Sequence, residues 1–264
     1  MSTDASWLGP MPEIYDRYLA PALFVPFAAH LAGLAQVSSA QRVLELAAGT
    51  GVATAALVQA LPQADITATD LNPAMVSWAA DRIAGVRWRQ ADAQCLDFPD
   101  ASFDLVVCQF GVMFFPDKRA AFAEAARVLA PGATLLFTVW DVVGASPFPA
   151  ALVESVAAVL PENPPTFVVQ VPHGYTNPDQ IADDLRRGGL SPVSVDRVVL
   201  RGSAPSAQVL AEGFCLGTPL RFALQDRGPL PTLTQAVADA MTARLGTGAL
   251  EGDLAAFVVT AHKP

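Results

Sequence analysis

The chain is poor in cysteine, histidine and positive charge. Cys95, Cys108 and Cys215 are its three cysteines. Their spacing fits neither a thiolate metal centre nor a disulfide framework, which suits a reducing compartment and predicts a cytoplasmic location. His30, His173 and His262 stand apart from any acidic cluster of ligand spacing, so no metal is expected. Sixteen Lys and Arg against 25 Asp and Glu give a net charge of -9, with a pI near 4.7. Phosphate backbones require a basic surface, so a nucleic-acid substrate is excluded. No apolar run approaches the length of a membrane span. The N-terminus carries Asp4 and no basic region of a signal peptide. What is abundant is apolar: 52% hydrophobic residues and only 16% charged predict a sizeable core and exclude disorder for most of the chain.

Residues 1–10 read as a loose tail. A helical periodicity over 12–35 carries Pro21 and Pro26, which predict a break into two helices. Strands are expected at 42–47, 65–70, 86–89, 103–109 and 133–140. Helices are expected between them at 52–61, 73–83 and 118–130. This alternation implies a parallel sheet with helices on both faces. Beyond Trp140 it stops. Helical patterns lie near 149–160, 178–188, 206–216 and 231–245, and strands at 192–201 and 254–261.

The sharpest signal is Val43-Leu44-Glu45-Leu46-Ala47-Ala48-Gly49-Thr50-Gly51, with Asp70 nineteen residues beyond Gly51. An apolar strand ends in a glycine turn that opens a helix, and a second strand stops at an acid. Glycines let backbone approach a ligand closely, and the acid is placed to accept both hydroxyls of a ribose. A dinucleotide fingerprint requires a third small residue where Thr54 stands, which argues against an NAD-dependent oxidoreductase. A P-loop is excluded because no lysine follows.

Glu45-Leu46-Ala47-Ala48-Gly49-Thr50-Gly51 resembles motif I of the class I S-adenosylmethionine-dependent methyltransferases, with Ala47 in place of the first glycine. Four further segments keep the family's order. Thr69–Met75 resembles its second motif and Gln90–Ala93 its adenine segment. Ser102–Gln109 resembles its fourth strand, and Ala126–Ala133 its R-V-L-x-P-G-G turn. The wording is similar to that of the ubiquinone/menaquinone C-methyltransferase-like, small-molecule subfamily. The resemblance implies a Rossmann-like, seven-stranded, mostly parallel sheet with the last strand antiparallel, helices on both faces, and a helical and loop lid. One domain over 1–264 is expected, with a core of 36–140, 178–202 and 250–264. The lid segments are then 1–35, 141–177 and 203–249.

The implied cofactor is S-adenosylmethionine, leaving S-adenosylhomocysteine as product. Ala47, Gly49, Thr50 and Gly51 would cradle its amino-acid and ribose portions, and Asp70 would take the ribose. Leu71 and Met75 would pack on the adenine, Asp92 would accept from its amine, and the Ala93 N–H would donate to its ring. Glu45 holds either the glycine loop or, through water, the ligand's ammonium. The resemblance sets Cys108, Gln109 and Phe110 beside the methyl group, with Gln109 orienting the substrate or the cofactor's amino-acid end. Cys108 reads as a buried small residue rather than a nucleophile. Tyr15 would touch the cofactor's carboxylate or the substrate, and His173 is the candidate general base by placement.

Asn163-Pro164-Pro165-Thr166-Phe167 imitates the tetrapeptide of amino-group DNA methyltransferases. Thr166 interrupts the aromatic position, and the segment follows the fifth strand rather than the fourth. The apolar lid residues Phe148, Phe167, Val168, Val169, Phe214, Leu216, Leu220 and Phe222 suggest a hydrophobic pocket for a small molecule. The reading is methyl transfer to a small apolar or aromatic metabolite, at carbon, oxygen or nitrogen. Its competitor of another class keeps the fold and the cofactor but catalyses a non-methylating step such as cyclisation. The sequence leaves the oligomeric state open.

Overall fold

A computed structural model describes residues 11–264. The tail expected over 1–10, with Asp4, lies outside the described residues. Seven strands form one sheet: β1 (Arg42–Glu45), β2 (Asp65–Asp70), β3 (Val86–Gln90), β4 (Phe103–Gln109), β5 (Leu129–Trp140), β6 (Ser191–Ala204) and β7 (Leu250–His262). Their order is β3-β2-β1-β4-β5-β7-β6. β1 to β5 run parallel, and β7 pairs antiparallel with β5 from Thr134↔His262 to Trp140↔Ala256. This is the fold class that the sequence predicts.

The chain divides into two compact units. One comprises Phe27–Trp140, Tyr175–Val198 and Ala256–Pro264; the other comprises the stretch ending at Pro26, Asp141–Gly174 and Val199–Ala255. In the first unit, Leu31, Ala32 and Ala35 of α2 (Val25–Val37) bury against Val43, Leu57, Ile66, Leu105, Val107, Leu136 and Val258. Helix α3 (Val52–Ala60) follows β1 and α4 (Pro73–Ala80) follows β2. Pro73 opens α4 where its missing N–H costs nothing, and Asn72 caps it by accepting the Ala74 N–H at 2.8 Å. Helix α5 (Lys118–Val128), capped by Asp117, precedes β5, and α8 (Pro178–Arg187) packs on it. The Arg119 guanidinium reaches Asp184 of α8 at 2.7 Å, and the Tyr175 hydroxyl donates to the same carboxylate at 3.0 Å.

The second unit is mainly helical: α1 (Met11–Ile14), a π-helix (Tyr15–Phe24), α6 (Pro147–Val159), α7 (Phe167–Gln170), α9 (Ala207–Gly217), α10 (Leu220–Gln225) and α11 (Leu230–Leu245). Helix α11 packs on α6 and α9, and the π-helix packs on α9. Asn163, in the loop before α7, has φ +59, so the tetrapeptide imitation is a proline-rich turn.

Two expectations need correction. Pro21 and Pro26 do not break the N-terminal helix, which is unbroken from Met11 to Val37. Its Tyr15–Phe24 stretch widens to π-type turns, in which the Val25 N–H reaches back to the Ala20 carbonyl. The wider turn absorbs the proline that an α-turn would reject. This helix is also long and apolar enough to cross a membrane, contrary to the expectation that no run is; 56% of its most apolar window is buried inside the protein.

Candidate active site

In an open parallel sheet, ligands bind beyond the carboxyl ends of the strands, where the strand order reverses. Here that point lies between β1 and β4, since β1 adjoins both β2 and β4. The loop leaving β1 is tied to both neighbours. The Leu46 N–H donates to Val107 of β4 at 2.8 Å, and the Ala48 N–H to Thr69 of β2 at 2.9 Å. Three of its residues adopt the left-handed region: Ala47 (φ +53), Gly49 (+57) and Gly51 (+88). Only glycine does so without strain, so Ala47 costs about 1–2 kcal/mol relative to an ordinary backbone. A Cβ at Gly51 would come within 2.4 Å of Ile83 Cδ1, whereas one at Gly49 would meet nothing within 4 Å. The loop is thus packed tightly at one glycine and open at the other.

Asp70 holds this loop in place. Its carboxylate accepts the Gly49 N–H and the Asn72 N–H, each at 2.8 Å. Burial pushes its pKa up against those hydrogen bonds. A carboxylate has about four lone-pair sites, so acceptor capacity remains for a ligand hydroxyl. Beneath the loop, Glu45 is buried and accepts the Thr54 hydroxyl at 2.6 Å, and the Thr69 hydroxyl donates to the Glu45 carbonyl at 2.8 Å. Thr54 is thus more than a departure from a glycine pattern: it partners an acid nine residues earlier. The Thr50 hydroxyl, also buried, has no hydrogen-bond partner among the described residues.

Burial raises the Glu45 pKa from 4.5 to about 8, with Asp70 adding to the shift. The folded protein therefore keeps a proton that the unfolded chain releases above 4.5, and this contribution to stability is lost as pH rises through about 8. Glu45→Gln keeps an acceptor for Thr54 and cannot ionise. Its unfolding free energy relative to the native protein is expected to rise from about pH 5 to about pH 9 in urea titrations. A difference constant across that range would show that Glu45 does not titrate there.

The other expected cofactor residues lie in the same unit. Leu71 follows Asp70 and is partly exposed, and Met75 of α4 is buried. The Ala91 N–H donates to the Asp70 carbonyl at 3.0 Å, which sets the segment after β3 beside the end of β2. There Asp92 accepts the Gln94 N–H at 2.8 Å, and Ala93 is buried. Cys108 is buried, and its thiol is pushed up to about 12, which leaves it protonated and non-nucleophilic. Gln109 ends β4. Phe110 follows with φ +53 and donates its N–H to Thr138. Its ring stacks on Trp140 at 3.7 Å, and Phe27 meets both edge-on. Gly111 brings the β4 loop onto the β1 loop: a Cβ there would lie 2.5 Å from Ala47 Cβ. Thr54, Thr138, Phe27 and Trp140 are additions that the sequence motifs do not reveal.

Tyr15 and His173 lie in the second unit. The Tyr15 ring stacks on Phe24 at 5.0 Å. His173 is buried, its pKa lowered by desolvation, and Nδ1 lies 2.6 Å from the Asp141 carbonyl. A carbonyl only accepts, so Nδ1 carries the proton and Nε2 the lone pair. Of the eight apolar residues expected to line a pocket, Phe148, Val168, Phe214 and Leu220 are buried, Phe167 and Leu216 are half-buried, and Val169 and Phe222 are exposed. Among the described residues no group of three His, Cys, Asp or Glu side chains is placed to hold a metal.

Residues 43–132 match a family described as a methyltransferase domain. The chain is 34% identical over 133 residues to a demethylmenaquinone methyltransferase of Deinococcus radiodurans, a match covering 49% of this chain and 55% of the relative. The chain spans about half the length of the curated relatives it matches. Among solved structures, the YcgJ protein of Bacillus subtilis aligns with a TM-score of 0.57 at 21% identity, covering 89% of this chain and 98% of that one. The [4+2]-cyclase SpnF aligns at 0.55 and 20% identity, covering 89% and 80%. The matched segment, the strand order and the loop between β1 and α3 thus give residues 43–132 the features of a class I S-adenosylmethionine-dependent methyltransferase domain.

Proposed function

We propose that the protein transfers the methyl group of S-adenosylmethionine to a small apolar or aromatic metabolite. The observation that carries this reading is the loop from Ala47 to Gly51, whose Gly49 N–H is fixed by Asp70 at the switch point of the sheet. The orphaned Thr50 hydroxyl and the open face of Gly49 fit a ligand rich in acceptors lying along that loop. The Asp70 carboxylate, held by the Gly49 and Asn72 N–H groups, supplies an acidic group that suits a cationic ligand. Asp70 takes the ribose, Asp92 the purine amine, and Gln109 orients the reacting end. The cofactor, when bound, supplies an electrophilic methyl on sulfur; the protein contributes alignment and the exclusion of water. The quinone chemistry named for the Deinococcus relative supports an aromatic acceptor. The free thiols of Cys95, Cys108 and Cys215 suit a cytoplasmic setting.

Calorimetric titration is expected to show micromolar binding of S-adenosylhomocysteine, about -8 kcal/mol, and none of NAD(H). A mass-spectrometric screen of phenols and quinones with S-adenosylmethionine is expected to yield a product 14 Da heavier, the mass of an added CH₂ (about 14 Da). Binding of NAD(H) without either adenosyl ligand would overturn the reading. Rearranged but unmethylated product would favour cyclisation, the reaction named for SpnF, on the same fold.

A further inference from the structure

The segment between β3 and β4, residues 91–102, contains no helix, and its regular pairing is limited to the isolated bridge Asp92↔Cys95. Something else must fix its shape, and α5 does so. A guanidinium has five N–H groups, and Arg127 engages every one. Nε donates to Glu124 Oε1 at 2.8 Å. Nη1 donates to the Phe98 carbonyl at 2.7 Å and to Asp100 Oδ1 at 2.8 Å. Nη2 donates to the Leu96 carbonyl at 2.7 Å and to Glu124 Oε2 at 2.9 Å. Glu124 Oε2 in turn accepts the Leu96 N–H at 2.6 Å. The Arg127 carbonyl accepts the Ala101 N–H at 3.0 Å. One turn of α5 thus holds the segment from Leu96 to Ala101.

At its other end α5 fixes Gln94. The Asp117 N–H donates to Gln94 Oε1 at 2.8 Å, which points the Gln94 amide nitrogen at Asp92 Oδ1, 3.2 Å away. The Gln94 backbone N–H binds the same oxygen at 2.8 Å. The Asp92 carboxylate is therefore aimed by residues that are themselves clamped to α5. Arg127 belongs to the R-V-L-x-P-G turn read from the sequence, a motif to which the site chemistry gives no other task.

We propose that Glu124 and Arg127 are positioning residues for recognition of the purine 6-amino group, acting through the 94–101 segment on Asp92 and touching no ligand themselves. This rests on the reading that Asp92 accepts from that amine. Lysine cannot replace the fork, because a single ammonium does not span Leu96, Phe98 and Glu124 together.

The test compares binding of S-adenosylhomocysteine and S-inosylhomocysteine, which differ at purine position 6, to the native protein, Arg127→Lys and Glu124→Gln. The native protein is expected to prefer the adenosyl ligand by about tenfold or more, as a charge-assisted hydrogen bond implies. In Arg127→Lys that preference is expected to fall at least about fivefold, through weaker adenosyl binding, with inosyl affinity held within about twofold. Loss of stability alone would leave the ratio unmoved. Glu124→Gln keeps an oxygen for the Leu96 N–H and decides the matter should Arg127→Lys not fold. A native-like ratio in the folded variants overturns the positioning role. No adenosyl preference in the native protein overturns the Asp92 reading itself, and the inference with it.

Discussion

Asp70→Ala is expected to weaken binding of S-adenosylhomocysteine by about 10²–10⁴-fold. Two charge-assisted hydrogen bonds to a ribose diol are worth about 1.5–3 kcal/mol each, and each 1.4 kcal/mol is about a decade. The structure adds a second cause. The same carboxylate accepts the Gly49 and Asn72 N–H groups, so alanine also releases the loop that faces the ligand. Asp70→Asn separates the two effects. An amide oxygen retains one neutral acceptor for the loop but lacks the charge, and its loss is expected to fall between those of the native protein and Asp70→Ala. Calorimetry on variants whose folding is confirmed by circular dichroism makes the check. Unchanged affinity in folded Asp70→Ala would mean that the ribose lies elsewhere.

Trp140→Ala is expected to cost about 3–5 kcal/mol of stability, the range for emptying a buried large aromatic site. Trp140 stacks face to face on Phe110, and Phe27 closes the trio edge-on. Its indole also supports an uncommon backbone, because Phe110 has φ +53 at the end of β4. Without that stack Phe110 is expected to leave the left-handed region, carrying Gln109 and Gly111 with it. Trp140→Phe keeps a ring against Phe110 and is expected to lose a smaller part. Chemical denaturation measures both. A loss below about 1 kcal/mol in Trp140→Ala would show that the trio does not hold the end of β4.

The parts of the site that were legible in sequence are those where backbone geometry dictates residue type. Gly49 and Gly51 announce left-handed positions, and Asp70 ends an apolar strand at a fixed distance from them. The parallel sheet was legible because β4 and β5 carry long apolar runs, and β1 and β2 short apolar stretches, between helical periods. Tertiary partnerships left no such trace. Thr54 read as a missing glycine because its hydrogen bond to Glu45 crosses from helix to strand. Arg127 was recognisable as part of a motif, but three of its acceptors, on Leu96, Phe98 and Asp100, lie 31, 29 and 27 residues earlier, which no local pattern encodes. Pro21 and Pro26 read as helix breakers under α-helical rules, but Pro21 lies inside the π-type turns and Pro26 in the first turn of α2. The apolar residues beyond Trp140 suggested a pocket, yet composition does not distinguish a pocket wall from the core of a second unit.

The place of β7 in the sheet has a consequence for biosynthesis. It lies between β5 and β6, although it is the last of the seven strands to be made. Ribosomes complete β5 about 110 residues before they reach Leu250. Throughout that interval the nascent β1–β5 layer presents Leu135, Leu136, Phe137, Thr138 and Val139 along an open backbone edge, the residues that β7 later covers. An open apolar edge is a template for pairing with other nascent chains. Slowing translation from β5 to β7 lengthens the exposure of that edge and is expected to lower soluble yield.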